Sequence, residues 1–217
     1  MEPGKEIGMA GTITLLQQQK HNPERVSVYL DEEFAFGVTL DTAARLAKGQ
    51  YLSDAEIAAL RTGDEYDRAY QSALHFLGAR PRSSAEVQRN LQEKEYGEDA
   101  IAAAIARLLE QGYLNDEEFA RYWLENRSRF RPRSAKAIRY ELRQKGVERD
   151  DIEAALEGMD EDAAAWDAAG SKLDRWRDLP EDEFERKLSG FLARRGFGFD
   201  TVRRTVQRAW KTLHAPE

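Results

Sequence analysis

Arg80-Pro81-Arg82-Ser83-Ser84-Ala85 returns 51 residues later as Arg131-Pro132-Arg133-Ser134-Ala135. The same offset carries Val87 to Ile138, Leu91 to Leu142, Lys94 to Lys145, Ile101 to Ile152 and Ile105 to Leu156. An offset of 50 then carries Ile138 to Leu188, Leu142 to Leu192, Lys145 to Arg195, Gly146 to Gly196, Ile152 to Val202 and Leu156 to Val206. The matched positions are apolar, core-type residues plus a basic–glycine pair that suits a helix end. Each unit of about 50 residues holds three helical segments, placed in the second unit near 116–130, 133–145 and 149–158. Tandem units that bury their faces on their neighbours predict an elongated array, which offers long binding surfaces more readily than deep catalytic pockets.

Helix starts are marked as well. Ser53 is followed by Glu56 and Ser83 by Glu86, two capping-box patterns, and Asn115 with Glu118 is a weaker version. Gly112, Gly146 and Gly196 each follow a helical segment, where a left-handed cap favours glycine. Ile101, Ile105, Leu108 and Leu109 read as one helix face. Upstream the period changes from helical to two. Thr12 to Leu16 opens with β-branched residues; Val26, Val28 and Leu30 alternate with polar neighbours; Phe34, Phe36 and Val38 alternate again after a turn at Asp31-Glu32. Three strands make a minimal sheet if something covers one face. Asp41 is placed as the cap of a short helix through Ala47, ended by Gly49. Residues 1–10, with Met9 as an alternative start, read as a disordered leader.

The fold class predicted is therefore mainly α: three tandem three-helix repeats in an elongated array, behind a small β-rich N-terminal module. The boundaries are 1–52 for the module, then 53–113, 114–159 and 160–217 for the repeats.

Composition narrows the function. The chain has 217 residues, no cysteine, and 33 basic against 40 acidic residues, for a net charge of −7. Without cysteine there is no disulfide scaffold, thiolate zinc site, Fe–S cluster or Cys nucleophile. His21, His75 and His214 form no metal-ligand spacing, and no phosphate-binding Gly-Lys loop, G-x-S-x-G elbow or H-E-x-x-H helix occurs. Gly196-Phe197-Gly198 reads as a helix cap and turn. The longest purely apolar run, residues 100–106, is far too short to span a bilayer. A cytoplasmic, non-enzymatic protein is expected, with no cofactor and no metal.

Charge is strongly segregated. Residues 121–145 hold nine basic residues against Glu125 and Glu141, and residues 186–211 hold eight against Asp200. Residues 148–162 hold eight acids and one arginine. Such blocks create local fields that the acidic total conceals. One reading is solvated helix faces with i,i+4 pairs. The other is a basic stripe for phosphate or an acidic protein groove. Arg127, Arg129, Arg131 and Arg133 favour the second, because they crowd a helix junction around Pro132 and are expected not to pair internally. Phe119, Tyr122, Trp123 and Phe130 fit one helix at core spacing. Tyr113 is expected to pack at a hinge, and Trp166, Trp176 and Trp210 in the core of the third unit.

Gly112-Tyr113-Leu114-Asn115-Asp116-Glu117-Glu118-Phe119-Ala120-Arg121 resembles the signature of the RecX family, bacterial regulators of the RecA recombinase. Ile138-Arg139-Tyr140-Glu141-Leu142-Arg143-Gln144-Lys145-Gly146-Val147 is similar to that family's helix ending in Lys-Gly. Arg82-Ser83-Ser84-Ala85-Glu86-Val87, with Leu91, resembles its first-repeat motif. Ser134 stands near where the family pattern leads one to expect glycine. The resemblance implies three tandem three-helix repeats, no enzymatic activity, and binding along the groove of the RecA–single-stranded DNA filament. There such proteins oppose filament growth, ATP hydrolysis, strand exchange and co-protease activity. The partners implied are the RecA filament and single-stranded DNA, with duplex DNA a further candidate, and the chain is expected to be a monomer. The residues taken to contact filament or DNA are Arg80, Arg82, Arg121, Arg127, Arg129, Arg131, Arg133, Lys136, Arg139, Arg143 and Lys145. The alternatives are a helical DNA-binding protein or transcription regulator acting without RecA, and a structural adaptor that touches no nucleic acid.

Overall fold

The computed structural model describes residues 10–214. The leader expected over residues 1–10 lies outside this range except for Ala10, whose backbone N–H donates to Asp54 Oδ1 at 2.7 Å. The N-terminal strands are β1 (Gly11–Gln19), β2 (Asn22–Leu30), β3 (Glu33–Thr39) and β4 (Tyr51–Leu52), antiparallel in the order β3-β2-β1-β4. Asp31 and Glu32 both take positive φ, 48° and 71°, as a two-residue hairpin that follows the sheet's twist requires. The fourth strand was not expected; two residues, paired with Gly11 and Thr12, carry too short a pattern to read. The inward row Ile13, Val26, Val28, Leu30, Phe36 and Val38 is closed by Ala43, Leu52 and Ile57. The short helix α1 runs only over Leu40–Ala43. Its cap is Thr39, whose hydroxyl accepts from Thr42 N, not the expected Asp41.

The long helix α2 (Asp54–Leu77) opens on the complete Ser53–Glu56 capping box. It packs Ala69, Tyr70 and Ala73 toward α4 (Glu98–Glu110), whose buried face is Ala100, Ile101, Ala104 and Leu108. Leu109, expected on that face, is 48% exposed, because alanines at 100 and 104 shift the buried stripe away from it. Between them lies α3 (Ser84–Glu93). Two compact units emerge. One takes the chain as far as Ala79 and again over Val87–Tyr113; the other takes Arg80–Glu86 and Leu114–Glu217.

The second unit contains α5 (Asp116–Phe130), α6 (Ala135–Gln144) and α7 (Arg149–Leu156), around Phe119, Ile138, Leu142, Val147 and Ile152. It continues with α8 (Glu161–Trp176), α9 (Glu181–Arg194) and α10 (Phe199–Leu213), around Phe184, Leu188, Leu192, Phe197 and Val206. Trp166, Trp176 and Trp210 pack against this core while remaining partly exposed. Val87, Ile138 and Leu188 are all fully buried, as are Leu91, Leu142 and Leu192, so the repeat offsets mark equivalent core positions. Two aromatics leave the expected core, Tyr122 and Phe130, which are 38% and 66% exposed, and Tyr113, expected to pack at a hinge, is 59% exposed.

The middle helices of all three repeats end identically. The amides of Tyr96, Val147 and Phe197 reach back to the carbonyls of Leu91, Leu142 and Leu192, and the residue before each has positive φ. That residue is Gly146 or Gly196 in the later repeats but Glu95 in the first, which meets the ordinary left-handed penalty of about 1–2 kcal/mol. Gly146 is also pressed against a neighbour: a Cβ there would stand 2.3 Å from Ala85 Cβ. Gly112, with φ 72°, has nothing within 4 Å of the same position.

These surroundings separate two substitutions. Gly112→Ala should lose only the backbone term, roughly 1–2 kcal/mol in urea unfolding. Gly146→Ala should lose about 1–3 kcal/mol more through overlap with Ala85. Equal losses would show that the contact between Gly146 and Ala85 is not tight.

Candidate functional site

The two Pro-Arg-Ser segments organise the basic residues. Ser83 and Ser134 are buried N-caps of α3 and α6: their hydroxyls accept from Glu86 N at 3.2 Å and Ala137 N at 3.1 Å. Thus Ser134, in place of the glycine that the family resemblance suggests, satisfies a helix-start donor that glycine would leave to water. Each N-terminus also meets the C-terminal end of a middle helix. Ser83 Oγ donates to Lys145 O at 2.6 Å, and Ser134 N donates to Arg195 O at 3.2 Å. Gly146 abuts Ala85; Gly196 abuts Ser134 and Ala137. The next free amide, Ser84 N or Ala135 N, donates to Asp116 Oδ1 at 2.8 Å or Glu161 Oε1 at 2.6 Å. Orphan donors of one helix end thereby meet orphan carbonyls of another, with the macrodipoles head to tail.

This geometry gathers arginines in pairs. In the segment 80–86, Arg80 and Lys145 both bind Glu86, at 2.9 and 2.8 Å. Burial would raise the Glu86 pKa, but hydrogen bonds from Arg80, Lys145 and Ser83 N outweigh it and hold the carboxyl at about 2. Arg82 is pushed below its ordinary range by burial and by neighbouring Arg80. At the equivalent place in the next repeat, Ala137 replaces that glutamate, and Glu141 serves instead. It accepts from Arg127 Nε at 2.7 Å, Arg133 at 2.9 Å and Trp123 Nε1 at 2.7 Å. Arg195 donates to Pro132 O at 3.2 Å and is lowered by burial and by the charges of Arg133, Arg131 and Arg127. Trp123 has Arg127 4.4 Å and Lys145 4.5 Å from its ring centre, within cation–π range.

Internal pairing is therefore more extensive than expected at the Pro132 junction: Arg127 and Arg133 share one carboxylate, Glu141, about two turns into α6. Arg139 holds Glu153 through two bonds of 2.7 and 2.8 Å, and Arg121 pairs with Glu117. Arg129, Arg131, Lys136 and Arg143 are exposed and make no salt bridge with a described residue; Arg129 lies against exposed Phe130. Arg195, Glu86, Glu141 and Trp123 were not among the expected site residues. The repeat offset that equates Arg195 with Lys145 was the available signal for the first. Nothing local identifies the carboxylates, because the chain is rich in acids.

Among the described residues, no group of three or more His, Asp or Glu side chains is arranged to hold a metal ion, and no helix is long and apolar enough to cross a membrane. The architecture defines a class of protein: tandem three-helix units with basic residues at serine-capped junctions, behind a small antiparallel sheet. Family models place it further. The RecX N-terminal domain matches residues 11–53, and the first, second and third RecX three-helix domains match 69–108, 115–156 and 160–206. The chain belongs to the RecX family. Proteins named regulatory protein RecX from Bacillus pumilus and Bacillus subtilis are each 34% identical, over 91% and 88% of this chain and 77% and 74% of their own length. A crystal structure of regulatory protein RecX superposes with a TM-score of 0.71 at 27% identity, covering 91% of this chain and 99% of its own. The RecX structure from Lactobacillus salivarius shares the fold at 22% identity, TM-score 0.59, over 68% of this chain and 97% of its own.

The Glu86 cluster predicts an acid limb in stability. A carboxyl depressed from 4.5 to about 2 stabilises the fold fully above pH 4.5 and loses that contribution as pH falls toward 2. At 1.36 kcal/mol per pKa unit this amounts to at most roughly 3 kcal/mol. Glu86→Gln should lower the melting temperature near neutrality and flatten the fall below pH 4.5. An unchanged acid limb would place the titrating carboxylate elsewhere.

Proposed function

We propose that this chain regulates the RecA recombinase by binding the RecA–single-stranded DNA filament, where it opposes filament growth, ATP hydrolysis, strand exchange and co-protease activity. It acts as a cytoplasmic monomer and catalyses nothing itself. Family membership supports the regulatory part. The observation that carries the binding part is the second three-helix unit: Arg129, Arg131, Lys136 and Arg143 make no salt bridge with a described residue, beside Arg127 and Arg133, which share Glu141. In an acidic chain, such a surface has no internal use for its excess charge. Against a polyanion, each phosphate neutralised releases counterions, so many modest contacts add. Arg80, Arg82 and Lys145 extend the basic surface, but the hold of Arg80 and Lys145 on Glu86 gives those two a structural share.

A second reading rests on α6, where Lys136, Tyr140 and Arg143 are exposed at i, i+4 and i+7. That row would suit a recognition helix in a duplex major groove, without RecA.

The RecA ATPase on single-stranded DNA tests the proposal. Wild-type protein should inhibit turnover. Changing Arg129, Arg131, Lys136 and Arg143 together to Ala should weaken inhibition at least tenfold and reduce its salt dependence, while melting changes little, since solvated charges contribute about 0–1 kcal/mol each. No inhibition by wild type, with sequence-specific duplex binding, would establish the second reading instead.

A further inference from the structure

The third repeat contains a second basic feature, outside the surface just described. Between α8 and α9 lies a cleft of about 390 Å³, lined by Arg175, Trp176, Arg186, Lys187, Gly190 and Arg194. No carboxylate lines it. Lys187 is paired with Glu183 at 2.7 Å, whereas exposed Arg175, Arg186 and Arg194 make no salt bridge with a described residue. Arg186, Gly190 and Arg194 form one row on α9, at i, i+4 and i+8. Gly190 has ordinary helical φ, so no backbone conformation requires glycine there. The space it leaves is used: a Cβ at 190 would stand 3.3 Å from the Arg194 guanidinium. Trp176 forms the half-buried wall, its ring edge-on to Phe191 at 6.1 Å and 85°. Phe191 is in turn held by Arg195 at 4.9 Å and Lys172 at 5.2 Å, which fixes the direction of the Trp176 plane.

The geometry points to a site for single-stranded nucleic acid in this cleft, with phosphodiester oxygens on Arg175, Arg186 and Arg194 and one base against Trp176. An acidic peptide would satisfy the arginines but leave the tryptophan wall unused, whereas every base offers a π face. A duplex keeps its bases stacked on each other, out of reach of a side chain at the cleft wall. The volume is at the small end of the ligand range and suits a single nucleotide unit. The site stands independently of filament binding and is tested without RecA.

The experiment is fluorescence anisotropy of a labelled oligothymidylate of about 16 nucleotides with the full chain. Arg186→Ala with Arg194→Ala should weaken binding more than tenfold and reduce the salt slope by about 1.4, two contacts at roughly 0.7 each. Trp176→Ala should cost about tenfold on oligothymidylate and nothing on an abasic strand, with Trp176→Phe restoring most of the loss. Gly190→Leu should block the cleft without lowering the melting temperature, since leucine is the better helix former, so a folding defect cannot mimic the result. Unchanged affinity in the double arginine variant or in Gly190→Leu would overturn the site. So would equal loss on abasic strand for Trp176→Ala, or displacement of the strand by polyglutamate at equal charge.

Discussion

The helical part of the molecule depends on how a buried serine N-cap meets the end of another helix. An α-helix leaves four N–H groups at one end and four carbonyls at the other without partners. Ser134 and Ser83 bring such ends together, with bonds to or from the backbone of Arg195 and Lys145. Only glycine fits at 146 and 196, because the chain there is left-handed and the opposing alanine or serine is already in contact. The carboxylates of Asp116 and Glu161 complete the capping. The basic residues follow from this arrangement. Arg80 and Arg82, or Arg131 and Arg133, flank the proline that precedes each cap, and Lys145 or Arg195 ends the helix that meets it.

Like charges concentrated in this way need a counter-charge, and the two places differ in how they find it. Around Ser83 the capping-box glutamate does both tasks, which draws Arg80 and Lys145 inward and depresses the Glu86 pKa. Around Ser134 the capping glutamate is an alanine, and Glu141 serves Arg127, Arg133 and Trp123 instead. Arg131 and Arg195 are left in a field dominated by positive charge. A polyanionic partner is a physical means of relieving that field, and the family's regulatory role gives it a place.

Much of this was legible from residue spacing. Offsets of 51 and 50 located equivalent core residues because burial recurs with the repeat, and Gly146 and Gly196 advertised their helix ends. Glu95 at the corresponding left-handed position was invisible, since nothing local distinguishes a glutamate that accepts that strain. The acids Asp116 and Glu161 were equally hidden: they are 45 residues apart, out of step with the repeat. Aromatic spacing misled at Phe130, where the helix outruns the core beneath it, and the hinge packing expected of Tyr113 gives way to exposure after the Gly112 cap. The expectation that the Pro132 arginines could not pair failed for Arg127 and Arg133, because their partner, Glu141, comes from the following helix. Charge counting therefore marked a basic stretch but could not divide its arginines into paired and unpaired ones.

The most direct measurement is hydrogen–deuterium exchange of the full chain, alone and bound to RecA assembled on single-stranded DNA. If the basic surface of the second three-helix unit is the docking face, protection should rise over residues 127–145, spanning the end of α5, the Pro132 junction and α6. Binding without added protection there, with protection confined to the N-terminal sheet or α2, would contradict it.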